Sequence, residues 1–360
     1  TPKQAPPRPK GAERNMVITQ WSWGDKLTYA HDEVATDKNN PRRNAYGTVW
    51  GVDIGNDRML AVNPKTNRVR TIKIPTLNGF NEPWCTQTYL ALGATTQPTP
   101  AGFCTLGSPA PGGVSSLPNA YSNPANPHNP MMDAKGRVWI TTQIRREWAQ
   151  DMPEFCKSDP IMTTRPHHRQ LGYYDPMNGK FQLIDTCYGN HHLQFDKKGV
   201  LWSSGDSYVL GWFDPSKYDP ARPETLQQAQ GYKEVIVDSN GDGVADLKVP
   251  GFNYGIIPNQ VDGSVWTAQP GTGKRGLLTR YDPATGKFES YIPPAPGMGP
   301  RGVDVDSKGI IWASMGGSGH LGRFDRSKCK QTWGDGTQCP EGWTFYKSPG
   351  PSVDLGTAPE

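Results

Sequence analysis

An all-β chain built from repeated four-stranded units is what this sequence predicts, and three observations carry the prediction. A glycine is followed three residues later by a tryptophan in four separate frames: Gly136–Trp139, Gly199–Trp202, Gly263–Trp266 and Gly309–Trp312. Three of these frames place an aspartate three residues before the glycine, at Asp133, Asp196 and Asp306. Each frame then runs into an aromatic-Asp signature: Tyr173-Tyr174-Asp175-Pro176, Trp212-Phe213-Asp214-Pro215, Arg280-Tyr281-Asp282-Pro283 and Arg323-Phe324-Asp325. Strand, Gly turn, Trp strand, aromatic strand, Asp-Pro turn and strand make one blade of a β-propeller.

The elements follow in order. Residues 1–15 are basic and rich in Pro and read as an extended arm. Met16 to Trp23 reads as a strand, and a polar stretch carrying His31, Asp32 and Glu33 follows. The first clear blade runs through Trp50, Met59 to Pro64 and Val69 to Pro75. Residues 76–124 form an insertion rich in Gly, Pro, Ser and Asn, and 143–170 form a second one carrying Cys156, His167 and His168. The framed blades begin near residues 126, 189, 253 and 299, so the propeller is expected over 16–350, with a tail at 351–360. Five blades are visible. The expectation is either closure with these five or membership of a larger, seven-bladed ring.

Composition narrows the function classes. Net charge is only +4 over 360 residues and is spread out, which argues against a nucleic-acid partner. No apolar run approaches the ~20 residues that a membrane span requires. Six cysteines without a Cys-x-x-Cys pair argue against zinc ribbons, thioredoxin chemistry and haem attachment. Neighbouring positions suggest disulfides Cys85–Cys104, Cys156–Cys187 and Cys329–Cys339, and hence a periplasmic or extracellular location. The opening at Thr1 without Met is what a mature product is expected to show.

Two resemblances add to this reading. Pro127-His128 with Asp133, Gly136 and Trp139, and Ser318 to Asp325, resemble the repeat of streptogramin (virginiamycin B) lyases. That likeness implies a propeller that opens a cyclic ester by elimination, using histidine, glutamate and magnesium at the channel. The glutamate often found three residues after the repeat Trp is replaced here by Thr142, Gly205, Gln269 and Met315. A second likeness, from Glu13 to Pro349, is to larger secreted bacterial proteins labelled lyase-like or carboxypeptidase-regulatory-like. It rests on His128 to Asp133, His191 to Phe195 and Cys339 to Trp343. It implies secretion and a longer chain, and brings no particular activity.

Candidate sites follow from the frame. The residue eleven places before each framed Trp is expected at the start of the innermost strand, facing the axis: His128, His191, Gly255 with Tyr254 beside it, and Arg301. His31 is a further axial candidate. Imidazoles can act as bases or ligate magnesium or a transition metal, and Arg301 can hold an anion. The competing expectation is a set of polar residues that merely line a wet channel. His192 is expected to turn to the opposite strand face, His167 and His168 to be solvated, and His320 to pack or cap one strand outward. Asp238, Asn240, Asp242 and Asp246 match the first half of an EF-hand-type loop and suggest calcium. Val249 stands where the bidentate glutamate belongs, and the alternative is a polar hairpin.

Three functions are compatible with these residues. One is a metal-dependent lyase or hydrolase on a small cyclic or ester substrate. Another is a propeller that binds a small molecule or a partner protein at the channel mouth. The third is an iron oxygenase of the kind that holds its metal with four axial histidines.

Overall fold

The computed structural model describes residues 28–77 (except 29, 41, 45–46 and 55–56), 125–144, 152–161, 169–204, 208–251, 253–271 and 275–348. The side chain of His31, the proposed Cys85–Cys104 pair, His167, His168, the arm and the tail lie outside the described residues. Among the described residues five sheets succeed one another along the chain, antiparallel but for one outer strand pair. Blade 1 holds β1 (Ala30–Val34), β2 (Val49–Asp53), β3 (Arg58–Asn63) and β4 (Arg68–Lys73). Blade 2 holds β5 (His128–Met132), β6 (Val138–Gln143), β7 (Arg169–Asp175) and β8 (Lys180–Ile184). Blade 3 holds β9 (His192–Phe195), β10 (Leu201–Ser204), β11 (Val209–Phe213) and β12 (Gln230–Glu234). Blade 4 adds a small hairpin, β13 (Ile236–Val237) and β14 (Leu247–Lys248), to the outer edge of β15 (Ile256–Pro258), β16 (Val265–Gln269), β17 (Leu277–Asp282) and β18 (Lys287–Tyr291). Blade 5 holds β19 (Pro300–Val305), β20 (Ile311–Met315), β21 (His320–Phe324) and β22 (Trp343–Lys347). This is a β-propeller. The first strand of each four-stranded unit is innermost: β1 neighbours β5, β5 neighbours β9, β9 neighbours β15, and β15 neighbours β19.

The repeated residues explain the blade. Asp133 accepts the N–H groups of Lys135 and Arg137 on one oxygen and the Trp139 indole N–H on the other, at 2.9 Å each. Asp196 does the same for Lys198, Val200 and Trp202, and Asp306 for Lys308, Ile310 and Trp312. Burial pushes the Asp306 carboxyl up, but the indole and the two amides outweigh it and hold the group below its ordinary value. The intervening glycines adopt φ of 76° to 81°, the left-handed turn that closes the hairpin. Blade 4 lacks the aspartate: Asn259 ties the turn through Val261 N–H, and the Ser264 hydroxyl takes the Trp266 indole.

In blades 1 to 4 the signature Trp meets the aromatic that precedes the turn aspartate of the next blade. Trp50 lies 5.7 Å from Tyr174, Trp139 5.7 Å from Phe213, Trp202 5.8 Å from Tyr281 and Trp266 5.8 Å from Phe324. Four dry cores result, one at each of the interfaces between blades 1 and 2, 2 and 3, 3 and 4, and 4 and 5. Alternation within each strand sends odd and even side chains to two different cores. Trp312 of blade 5 stacks instead on Tyr346 of its own sheet, at 5.9 Å.

Two of the expected disulfides are formed, Cys156–Cys187 and Cys329–Cys339. The first anchors a short helix, α1 (Glu154–Lys157), from the second insertion to the chain entering blade 3. Among the described residues no cysteine is free, and no helix is long and apolar enough to cross a membrane.

Candidate functional site

Strand register fixes which residues are equivalent at the axis. The signature Trp pairs with Val34, Met131, Gln194, Ile257 and Asp304 in blades 1 to 5. Three residues before those partners stand His31, His128, His191, Tyr254 and Arg301. The axial level of the five blades therefore carries three histidines, a tyrosine and an arginine. Tyr254, not Gly255, is the blade 4 member, because its turn is one residue longer. Gly255 matters for close packing instead. A Cβ there would run into the backbone oxygen of Arg301, so its absence lets β15 and β19 approach.

The described side chains of this level touch in sequence. The His128 and His191 rings meet edge to face with centroids 4.6 Å apart. His191 lies 5.1 Å from Tyr254, and the Arg301 guanidinium stands 5.0 Å over the Tyr254 ring. His128 Nδ1 lies 3.0 Å from the Asn126 carbonyl oxygen, which can only accept. Nδ1 therefore carries the proton of this bond.

Hydroxyls two residues beyond the Trp hold the axial backbone of the following blade. Thr141 Oγ1 donates to the His191 carbonyl at 2.8 Å, and Ser204 Oγ to that of Tyr254 at 2.7 Å. The axial residues are thus located by their neighbours as well as by their own sheets.

His192 corrects the expectation drawn from strand alternation. Its ring lies 4.8 Å from His191 and 4.4 Å from Tyr254, on the axial side. Strand β9 begins only at His192, and His191 sits in the bend before it, so strict alternation does not hold across the pair. A cavity of about 190 Å³ lies beside this cluster and draws its lining from all five blades, including Lys38, Asn129, His192, Gly255, Gly302 and Asp304. Lys38 Nζ reaches Asp304 Oδ1 at 2.8 Å and so links blade 1 to blade 5 there. His320 lies outward, with Nδ1 2.6 Å from the Ser318 carbonyl and its ring against Phe345.

Among the described residues no group of three or more His, Cys, Asp or Glu side chains is arranged to hold a metal ion. In the 238–246 loop the carboxylates serve the loop itself. Asp238 accepts the amides of Gly241 and Gly243, Asp242 that of Val244, and Asp246 both the amide and the hydroxyl of Ser239. Asn240 Oδ1 accepts the Asp242 amide. These bonds shape a polar hairpin between β13 and β14. At the axis, Tyr254 and Arg301 hold two of the five equivalent positions, so that level offers no fourth histidine.

No family model matches the chain. A curated relative, a chloroplastic MurE-type ligase homologue from rice, is 23% identical over 39% of this chain, which spans only 19% of that protein's length. Solved structures similar to it include virginiamycin B lyase from Staphylococcus aureus, at 12% identity and TM-score 0.49, covering 91% of this chain and 72% of that one. PorZ of Porphyromonas gingivalis, a surface component of the type-IX secretion system, is 14% identical at TM-score 0.47, over 84% of this chain and 34% of that one. A gluconolactonase from Xanthomonas campestris is 13% identical at TM-score 0.41, over 81% and 74%.

Proposed function

We propose that this propeller is a lyase or hydrolase that opens a small cyclic or ester substrate in its axial cavity. The observation that supports the reading is the set of register-equivalent residues His31, His128, His191, Tyr254 and Arg301, four of them with side chains in one contact series, next to a cavity shared by all five blades. His192 stands against the cavity and serves as the base, with His191 and His128 packed behind it. In hydrolysis, water attacks the acyl carbon while the imidazole takes its proton. The ring-opened alkoxide receives that proton back. The two disulfides support placement in an oxidising compartment.

Proton release from a panel of small lactones and esters tests this. His192→Ala and His191→Ala are expected to lose on the order of 10²–10⁴-fold in kcat/KM with unchanged melting temperature. Tight binding of panel members with no turnover would replace this reading with a non-catalytic, ligand-binding propeller.

A further inference from the structure

Asn129 holds an unusual backbone position for a reason that points into the same cavity. It follows His128 on β5 with φ of +47°, in the left-handed region that Asn tolerates better than most residues. Its N–H donates to Asp32 Oδ2 of β1 at 2.9 Å, and its side-chain Oδ1 accepts the N–H of Leu193 on β9 at 2.7 Å. One residue thus joins the innermost strands of three successive blades.

Those bonds also settle which way the amide faces. A backbone N–H can only donate, so the atom turned to Leu193 is the oxygen, and the NH₂ group is left for another acceptor. Among the described residues Asn129 Nδ2 makes no hydrogen bond, and the half-buried side chain lines the axial cavity together with His192. Backbone and side chain are both locked before any ligand arrives. A donor fixed in this manner costs no reorganisation when an acceptor meets it. A left-handed non-glycine residue held by its surroundings at a cavity is the kind of strain that marks binding sites.

We propose that Asn129 is a binding residue of the axial site, presenting Nδ2–H to an oxygen of the ligand, either the carbonyl of an ester or lactone or an oxygen of a carboxylate. This rests on the reading of the axial cavity given above. Asn129→Asp is the discriminating variant, because aspartate keeps the acceptor for Leu193 and tolerates the left-handed backbone but removes the donor. Asn129→Gly is its partner, keeping the backbone and deleting the amide.

The experiment follows histidine ring signals by NMR while δ-valerolactam, a non-hydrolysable cyclic carbonyl, and separately acetate are titrated into the full chain, with lactone turnover measured alongside. Wild type is expected to show saturable shifts with one probe or both, and the responding probe identifies the acceptor. Both variants are expected to weaken binding tenfold or more and to lower kcat/KM on the order of 10²-fold, with a folded NMR spectrum retained. Binding and turnover unchanged in Asn129→Asp and Asn129→Gly, while His192→Ala loses them, would make Asn129 only a tie between blades and leave the axial reading intact. Absence of both binding and turnover in wild type would overturn the axial reading, and the role of Asn129 with it.

Discussion

Asp57 shows how much a single buried carboxyl can tell about a repeat protein. Its two oxygens accept the N–H groups of Ala125 and Asn126, the residues that lead into β5 and His128. Burial pushes its pKa up from 3.8 to about 7, against the two amides that pull it down. A raised folded-state value means that the native protein binds more protons than the unfolded chain between about pH 4 and pH 7. Stability therefore falls as pH rises through that window and is flat above it. Urea melts at several pH values are expected to show this decline, amounting to roughly 2–4 kcal/mol, and Asp57→Asn is expected to abolish most of it. An unchanged slope in the variant would assign the pH dependence to other groups. The residue scale also separates what spacing reveals from what it hides. Counting back from Trp finds His128, His191 and Arg301. It misses the orientation of His192, because a strand start and not a strand interior lies beneath that residue.

At the scale of the element, the 238–246 loop is a motif whose sequence and geometry point in different directions. Alternating acidic and amide side chains around Gly241 suggest calcium, yet every one of them accepts or makes a hydrogen bond inside the hairpin. Gly241 has φ of +85° and lies so close to the Trp333 ring that a Cβ would overlap it, so the loop is also covered from blade 5. Chelation is expected to leave the melting temperature unchanged, while Asp238→Ala lowers it whether or not chelator is present. A melting temperature that drops on adding chelator, and no longer does so in Asp242→Ala, would establish calcium binding by mass action. Sequence could not decide this, because Asx turns and calcium loops need the same residue types at alternate positions.

Across the whole molecule, cohesion comes from four aromatic cores between blades and from straps that cross them. The Cys329–Cys339 loop lies over the outer edge of blade 4: Gly334 N–H donates to Asp238 O at 2.9 Å, Ile292 N–H to Gly336 O at 2.7 Å, and Gln338 Nε2 to Ser290 O at 2.9 Å. Cys339 itself is buried in the core between blades 4 and 5. Replacing the pair with serines releases the loop and is expected to cost about 2–3 kcal/mol, read as a lower urea midpoint. Non-reducing peptide mapping is expected to recover Cys329–Cys339 and Cys156–Cys187 as linked peptides. Free thiols at these positions would contradict the oxidising location as well as the strap.

The repeat, and with it the architecture, is written in the order of residues alone. An aspartate, a glycine and a tryptophan at constant spacing specify a turn and an indole hydrogen bond locally, so they announce a blade wherever they occur. Equivalent spacing also makes the axial positions countable, since a residue's radius in a propeller follows from its place in its own strand. The relation between blades had to come from the folded molecule. His192 faces the cavity, Asn129 spans three inner strands, Tyr254 takes the place that counting gives to Gly255, and Lys38 of blade 1 reaches Asp304 of blade 5. Such contacts depend on how separate sheets approach, on turn lengths that shift register by one residue, and on bends that break alternation. Local spacing carries no record of any of these.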